Sequence, residues 1–71
     1  MQTGDIKHMK EIRLKWDDLS PTEKEIAVNN YRSIRTVEEE AECSEERARN
    51  DTPFCRGFYK NMTTGEITVD I

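Results

Sequence analysis

The sequence predicts an α+β fold, a three-stranded antiparallel sheet packed on one or two helices in the order β-α-α-β-β. Three observations carry this: alternation of apolar and charged residues from Met9 to Trp16, a capped amphipathic helix beginning at Pro21, and a hairpin pattern near the far end of the chain.

The helix is the clearest element. Ser20 can accept an orphan backbone N–H, Pro21 suits the first helical position, and Glu23 completes a capping box while sitting at the positive end of the helix dipole. Ile26, Ala27, Tyr31 and Ile34 then gather on one side and leave Glu25, Asn29, Arg32 and Ser33 toward water. Ahead of it, Ile12, Leu14 and Trp16 alternate with Glu11, Arg13 and Lys15, which reads as a half-buried strand ended by Asp17 and Asp18. Residues 1–8, including the lone His8, show no periodicity and read as a flexible tail on a single small domain spanning 9–71.

After Ile34 a second capping signature, Thr36 with Glu39, opens the run VEEEAECSEERAR. As a helix over 37–49 it would carry a stripe of Val37, Ala41, Ser44 and Ala48, with Glu38, Glu42 and Glu45 on one face and Glu39 and Glu46 on another. Asn50 and Asp51 would end it before Pro53. The last segment reads as a hairpin turning at Thr63, Thr64 and Gly65, with Met62 opposite Glu66. That register places Tyr59, Cys55, Ile67, Val69 and Ile71 on the core face and leaves Phe58 partly exposed beside Arg56 and Lys60. The expected core is therefore Ile12, Leu14, Trp16, Tyr59, Ile67 and Val69 against Ile26, Ala27, Tyr31 and Ile34, with Trp16 its most sensitive member.

With 71 residues, 34% hydrophobic and 37% charged, the chain can bury only a small core. The net charge of −4 is unevenly spread. Residues 1–16 hold four basic against two acidic side chains, whereas 38–51 hold seven acidic against two basic. This balance opposes direct binding to a phosphate backbone, for which Lys7, Lys10, Arg13 and Lys15 would be the only candidates. No apolar run reaches membrane-spanning length and no secretory pattern opens the chain, so the expected setting is the cytoplasm, with no membrane partner. There Cys43 and Cys55 are expected to be reduced thiols.

Catalysis lacks its usual parts: no phosphate-binding glycine motif, no metal-ligand spacing, and one histidine in the tail. The expectation is a protein that is not an enzyme and takes no cofactor or metal. The glutamate run is the distinctive feature. It is either a solvated helix face or a lattice of carboxylates that mimics nucleic acid before a basic groove. In the second reading Glu38, Glu39, Glu42, Glu45 and Glu46 bind the partner, with Arg56 and Phe58 as anchors.

Trp16, Leu19, Ser20, Ala27, Tyr31, Arg32 and Ile34 together resemble a motif of small phage and prophage proteins, with Ser33 and Arg35 where those proteins carry other polar residues. The resemblance covers about a quarter of the chain. It implies an inhibitor of host defence of the anti-CRISPR type, acting on a nucleic-acid-binding effector inside a bacterial cell as a monomer or homodimer. The alternative is an antitoxin-like or regulatory interaction module that uses the hairpin through Arg56, Phe58 and Lys60, and that could dimerise by an exposed edge strand.

Overall fold

Strand β1 (Glu11–Leu14) pairs antiparallel with β2 (Gly57–Asn61), which pairs antiparallel with β3 (Ile67–Asp70), so β2 is the central strand. Two helices, α1 (Pro21–Glu39) and α2 (Glu45–Asp51), lie between β1 and β2 in the chain and give the expected β-α-α-β-β order. This computed structural model describes residues 11–71. The tail expected over 1–8, with Lys7 and His8, and the residues Met9 and Lys10 lie outside the described residues.

β1 is shorter than the alternation suggests. It stops at Leu14, and Trp16–Asp18 forms a 3-10 turn in which the Asp18 carboxylate accepts the Lys15 N–H at 3.0 Å. Aspartate side chains compete for backbone donors in this way, which ends the ladder before Trp16. The indole still reaches the core, its ring 5.7 Å from that of Phe58.

α1 begins as its sequence dictates. The Ser20 hydroxyl accepts the Glu23 N–H at 3.2 Å and Glu23 accepts the Ser20 N–H at 2.8 Å. It does not end at Ile34. The Thr36 hydroxyl, expected to cap a second helix, instead donates to the Arg32 carbonyl at 2.8 Å, a bond within the turn of a continuing helix. The helix runs to Glu39 and closes on Glu40, which takes the left-handed conformation (φ 57°).

The second helix is consequently not 37–49. It starts at Glu45, seven residues in all, with the Ser44 hydroxyl accepting the Arg47 N–H at 3.1 Å. The expected small-residue stripe dissolves: Val37 is 79% exposed, and only Ala48 of the four is buried. Cys43, in the connection between the helices, is buried in its place. That connection is stapled to α1, with the Cys43 N–H donating to Thr36 Oγ1 at 3.0 Å and Arg32 Nε donating to the Cys43 carbonyl at 2.6 Å.

The hairpin register differs from expectation by one residue. Asn61, not Met62, closes the turn against Glu66: the Asn61 N–H donates to the Glu66 carbonyl at 2.9 Å, and its side chain accepts the Thr63 and Thr64 N–H groups. Gly65 holds the left-handed position (φ 79°) as expected. Because side chains alternate, a slip of one residue exchanges the faces. Phe58 pairs with Val69 and points into the core, while Tyr59 pairs with Thr68 on the outer face. Leu19, Ala27, Val28, Tyr31, Cys43, Ala48, Phe58, Ile67 and Val69 are buried together, with Leu14, Trp16, Ile26, Ile34 and Cys55 packed at their margin. Ile12, expected inside, is 41% exposed near the rim of the sheet.

Candidate partner-binding surface

Each of the five glutamates singled out from the sequence lies at the corner where α1 meets α2, but on three different pieces of backbone. Glu38 and Glu39 are in the last turn of α1, Glu42 is in the connection, and Glu45 and Glu46 open α2. They do not form one helical lattice. The corner gathers them because Glu40 reverses the chain and the Arg32, Thr36 and Cys43 bonds hold the connection against α1.

Arginines thread this surface. Arg35 pairs with Glu38 at 2.8 Å, Arg47 with Glu39 at 2.5 Å, Arg32 with Glu42 at 2.7 Å and Arg49 with Glu45 at 3.3 Å. Two of these cations, Arg32 and Arg35, come from α1 and were not counted in the local charge balance of the run. Their placement answers a real cost, since three carboxylates at the negative end of the α1 dipole repel both the dipole and one another. Hydrogen bonding to Arg47 pulls the Glu39 carboxyl below the usual glutamate range, and raises Arg47 in turn. At the positive end of α2 Glu45 and Glu46 are favourably placed.

Arg49 ties the helices together further along. It binds Glu25 through two N–H donors at 2.6 and 2.7 Å, a fork that lowers the Glu25 pKa and raises its own. Inside the corner the buried Tyr31 hydroxyl accepts from Arg35 Nε at 3.0 Å and donates to Asp51 at 3.4 Å. The bond to Tyr31 is the main reason the Arg35 pKa is raised.

Within the acidic group, neither Glu46 nor Glu40 makes an ion pair among the described residues, and both are exposed. Glu40 was absent from the expected set, although it stands in the same glutamate run. The paired carboxylates stay open to water as well: Glu42 is 78% exposed, Glu45 60% and Glu38 52%.

The hairpin anchors fare differently. Phe58, expected to be an exposed contact, is 1% exposed and sits in the core against Trp16, because the register places it opposite Val69 and Leu14. Lys60 is bound to Glu23 at 2.5 Å, which is the first cause of that carboxyl's depressed pKa, ahead of its capping bond to Ser20. Arg56 remains exposed. The aromatic that the hairpin approach presents to solvent is Phe54, 87% exposed on the 3-10 turn Thr52–Phe54. A run of alternating residues hid this, because the segment Thr52–Phe54 is helical and not part of the strand.

Arg13, one of the four basic residues near the start of the chain, is held on the outer sheet face by Tyr59 and Asp70. Cys43 and Cys55 are free thiols, and burial pushes the Cys55 thiol up. Among the described residues no group of three or more His, Cys, Asp or Glu is arranged to hold a metal, and no helix is long and apolar enough to cross a membrane. No protein-family profile, no curated protein and no solved structure matches this chain.

Proposed function

We propose that the chain is a non-catalytic, stoichiometric inhibitor that binds the basic nucleic-acid channel of a protein partner, the anti-CRISPR type of activity that its helix motif suggests. The observation that carries this reading is the acidic corner, where Glu40 and Glu46 stand exposed and without ion-pair partners among the described residues. Around them Glu38, Glu42 and Glu45 are held only by exposed pairs, which contribute little net stability and exchange readily for another cation. The surface is pre-shaped by the Arg32 and Thr36 staple and needs no ordering of a free helix on binding.

The test is capture of partners from a bacterial lysate on the immobilised protein, repeated at raised salt and with competing nucleic acid. The expected result is a nucleic-acid-processing complex that both treatments release. A Glu40→Lys/Glu46→Lys variant should lose the complex while staying folded, with its melting temperature lowered only slightly by the reversed charge at the start of α2. Undiminished capture by that variant would sink the proposal.

A second reading rests on Phe54. An interaction module of the antitoxin-like or regulatory kind would use Phe54 beside Arg56, in place of Phe58 and Lys60, and would hold its partner at high salt. Phe54→Ala would then abolish capture and the glutamate variant would not.

A further inference from the structure

β3 is an edge strand with β2 on one side and no described strand on the other. The Asn61 and Glu66 pair is hydrogen-bonded, so the alternation of an antiparallel ladder turns Thr68 toward Tyr59 and turns the N–H and C=O groups of Ile67 and Val69 outward. α1 covers only one of these four groups, through the Asn30 amide, which donates to the Ile67 carbonyl. The Ile67 N–H and both groups of Val69 have no hydrogen-bond partner among the described residues. Among the devices that ordinarily blunt such an edge, β3 is short and ends in Asp70, but Ile67-Thr68-Val69 carries no lysine, proline or inward charge. Ile71, just past the strand, is 38% exposed.

We propose that β3 is the pairing edge of a two-fold homodimer, joined antiparallel to β3 of a second copy with Val69 opposite Val69. The occupant follows from the sequence of the edge. A two-fold at Val69 sets Ile67 of ITVDI against Ile71 and Thr68 against Asp70, apolar on apolar and hydroxyl on carboxylate, so the edge complements itself.

Two registers would bring the open groups together. Pairing Ile67 with Val69 sets the Glu66 carboxylate against Asp70, which is unfavourable for like charges directly opposite. Centring on Val69 sets Ile71 against Ile67 on the helix side and Asp70 against Thr68 on the outer side, so apolar meets apolar and carboxylate meets hydroxyl. The two Val69 bonds and the two from the Ile67 N–H groups leave the Ile67 carbonyl to the Asn30 amide. The dimer stands on the sheet edge and is independent of the acidic corner.

Sedimentation velocity over a concentration series tests it, with Thr68 as the probe because that side chain is exposed and its replacement spares the core. The wild-type chain should approach twice the mass of one copy as concentration rises. Thr68→Asp, which faces Asp70 of the second copy with a like charge, should weaken the dimer roughly fivefold. Thr68→Lys should tighten the dimer roughly fivefold, since two new opposite-charge pairs form across the two-fold. Circular dichroism should show both variants folded. A wild-type chain that stays single throughout, an effect of neither substitution, or weakening by both would overturn the proposal, the last because it would place Thr68 opposite its own copy.

Discussion

The guanidinium of Arg13 lies across the backbone of Gly57, so close that a Cβ at Gly57 would meet its Nε at 3.0 Å and its Nη2 at 3.1 Å. From there the same group donates to the Tyr59 hydroxyl at 3.1 Å and the Arg56 carbonyl at 3.2 Å, and sits 5.5 Å from the centre of the Tyr59 ring. The missing side chain at Gly57 is what admits it. Gly57→Ala should therefore be close to neutral, because the atoms it meets are the flexible end of an exposed side chain and the loosened Arg13 bonds offset what alanine gains. In an Arg13→Ala background the same change should instead stabilise by about 0.5 kcal/mol, because alanine narrows the unfolded ensemble. Urea unfolding of the four proteins measures the difference, and a Gly57→Ala effect equal in both backgrounds would refute the link.

Phe58 replaces Trp16 as the most sensitive core residue. It is almost fully buried at the centre of the sheet, whereas Trp16 keeps one face toward the solvent and Lys24. Phe58→Ala should cost about 3–5 kcal/mol, enough to unfold most of a domain this small, and Trp16→Ala roughly half as much. Denaturant midpoints would show the order, and a larger loss at Trp16 would contradict the register described for β2 and β3.

The connection between the helices depends on Thr36 and Ser44. Thr36→Val removes the acceptor of the Cys43 N–H and should cost about 1–2 kcal/mol. Ser44→Ala removes the cap of α2 and should cost about 1 kcal/mol. Amide exchange is expected to quicken at Cys43 in the first variant and at Arg47 in the second. If Thr36 capped a separate helix, its loss would instead quicken exchange at Glu38 and Glu39.

Acid should loosen the contact between α1 and α2. Arg49 lowers the Glu25 carboxyl and Arg47 lowers that of Glu39, so each carboxylate binds its proton less readily folded than unfolded. Their contribution is complete above the ordinary glutamate range and is lost as pH falls below that range and through the depressed values. The unfolding midpoint should accordingly drop on going from pH 7 to pH 3. A Glu25→Gln/Glu39→Gln variant should start lower at pH 7 and lose less on the way down. Equal slopes for the two proteins would show that these pairs do not couple stability to pH.

Local rules in the sequence determined the number and order of the elements, the start of α1 and the position of Gly65, because a capping box, a proline at the first helical position and a glycine with positive φ act over a few neighbouring residues. The same rules placed the second helix wrongly. Thr36 reads as its cap, but the folded chain seats Thr36 between the Arg32 carbonyl and the Cys43 N–H, and Ser44 caps α2 instead. In the hairpin the turn residues read as Met62 closing against Glu66, whereas the folded chain closes on Asn61. The choice rests on which of Phe58 and Tyr59 fits under α1, and a one-residue shift carries that answer to each side chain of the strand. The acidic surface follows the same division. Its residues and its sign are written in the glutamate run, whereas their exposure and their pairing depend on arginines that only the fold brings from α1, Arg32 and Arg35, and from α2, Arg47 and Arg49.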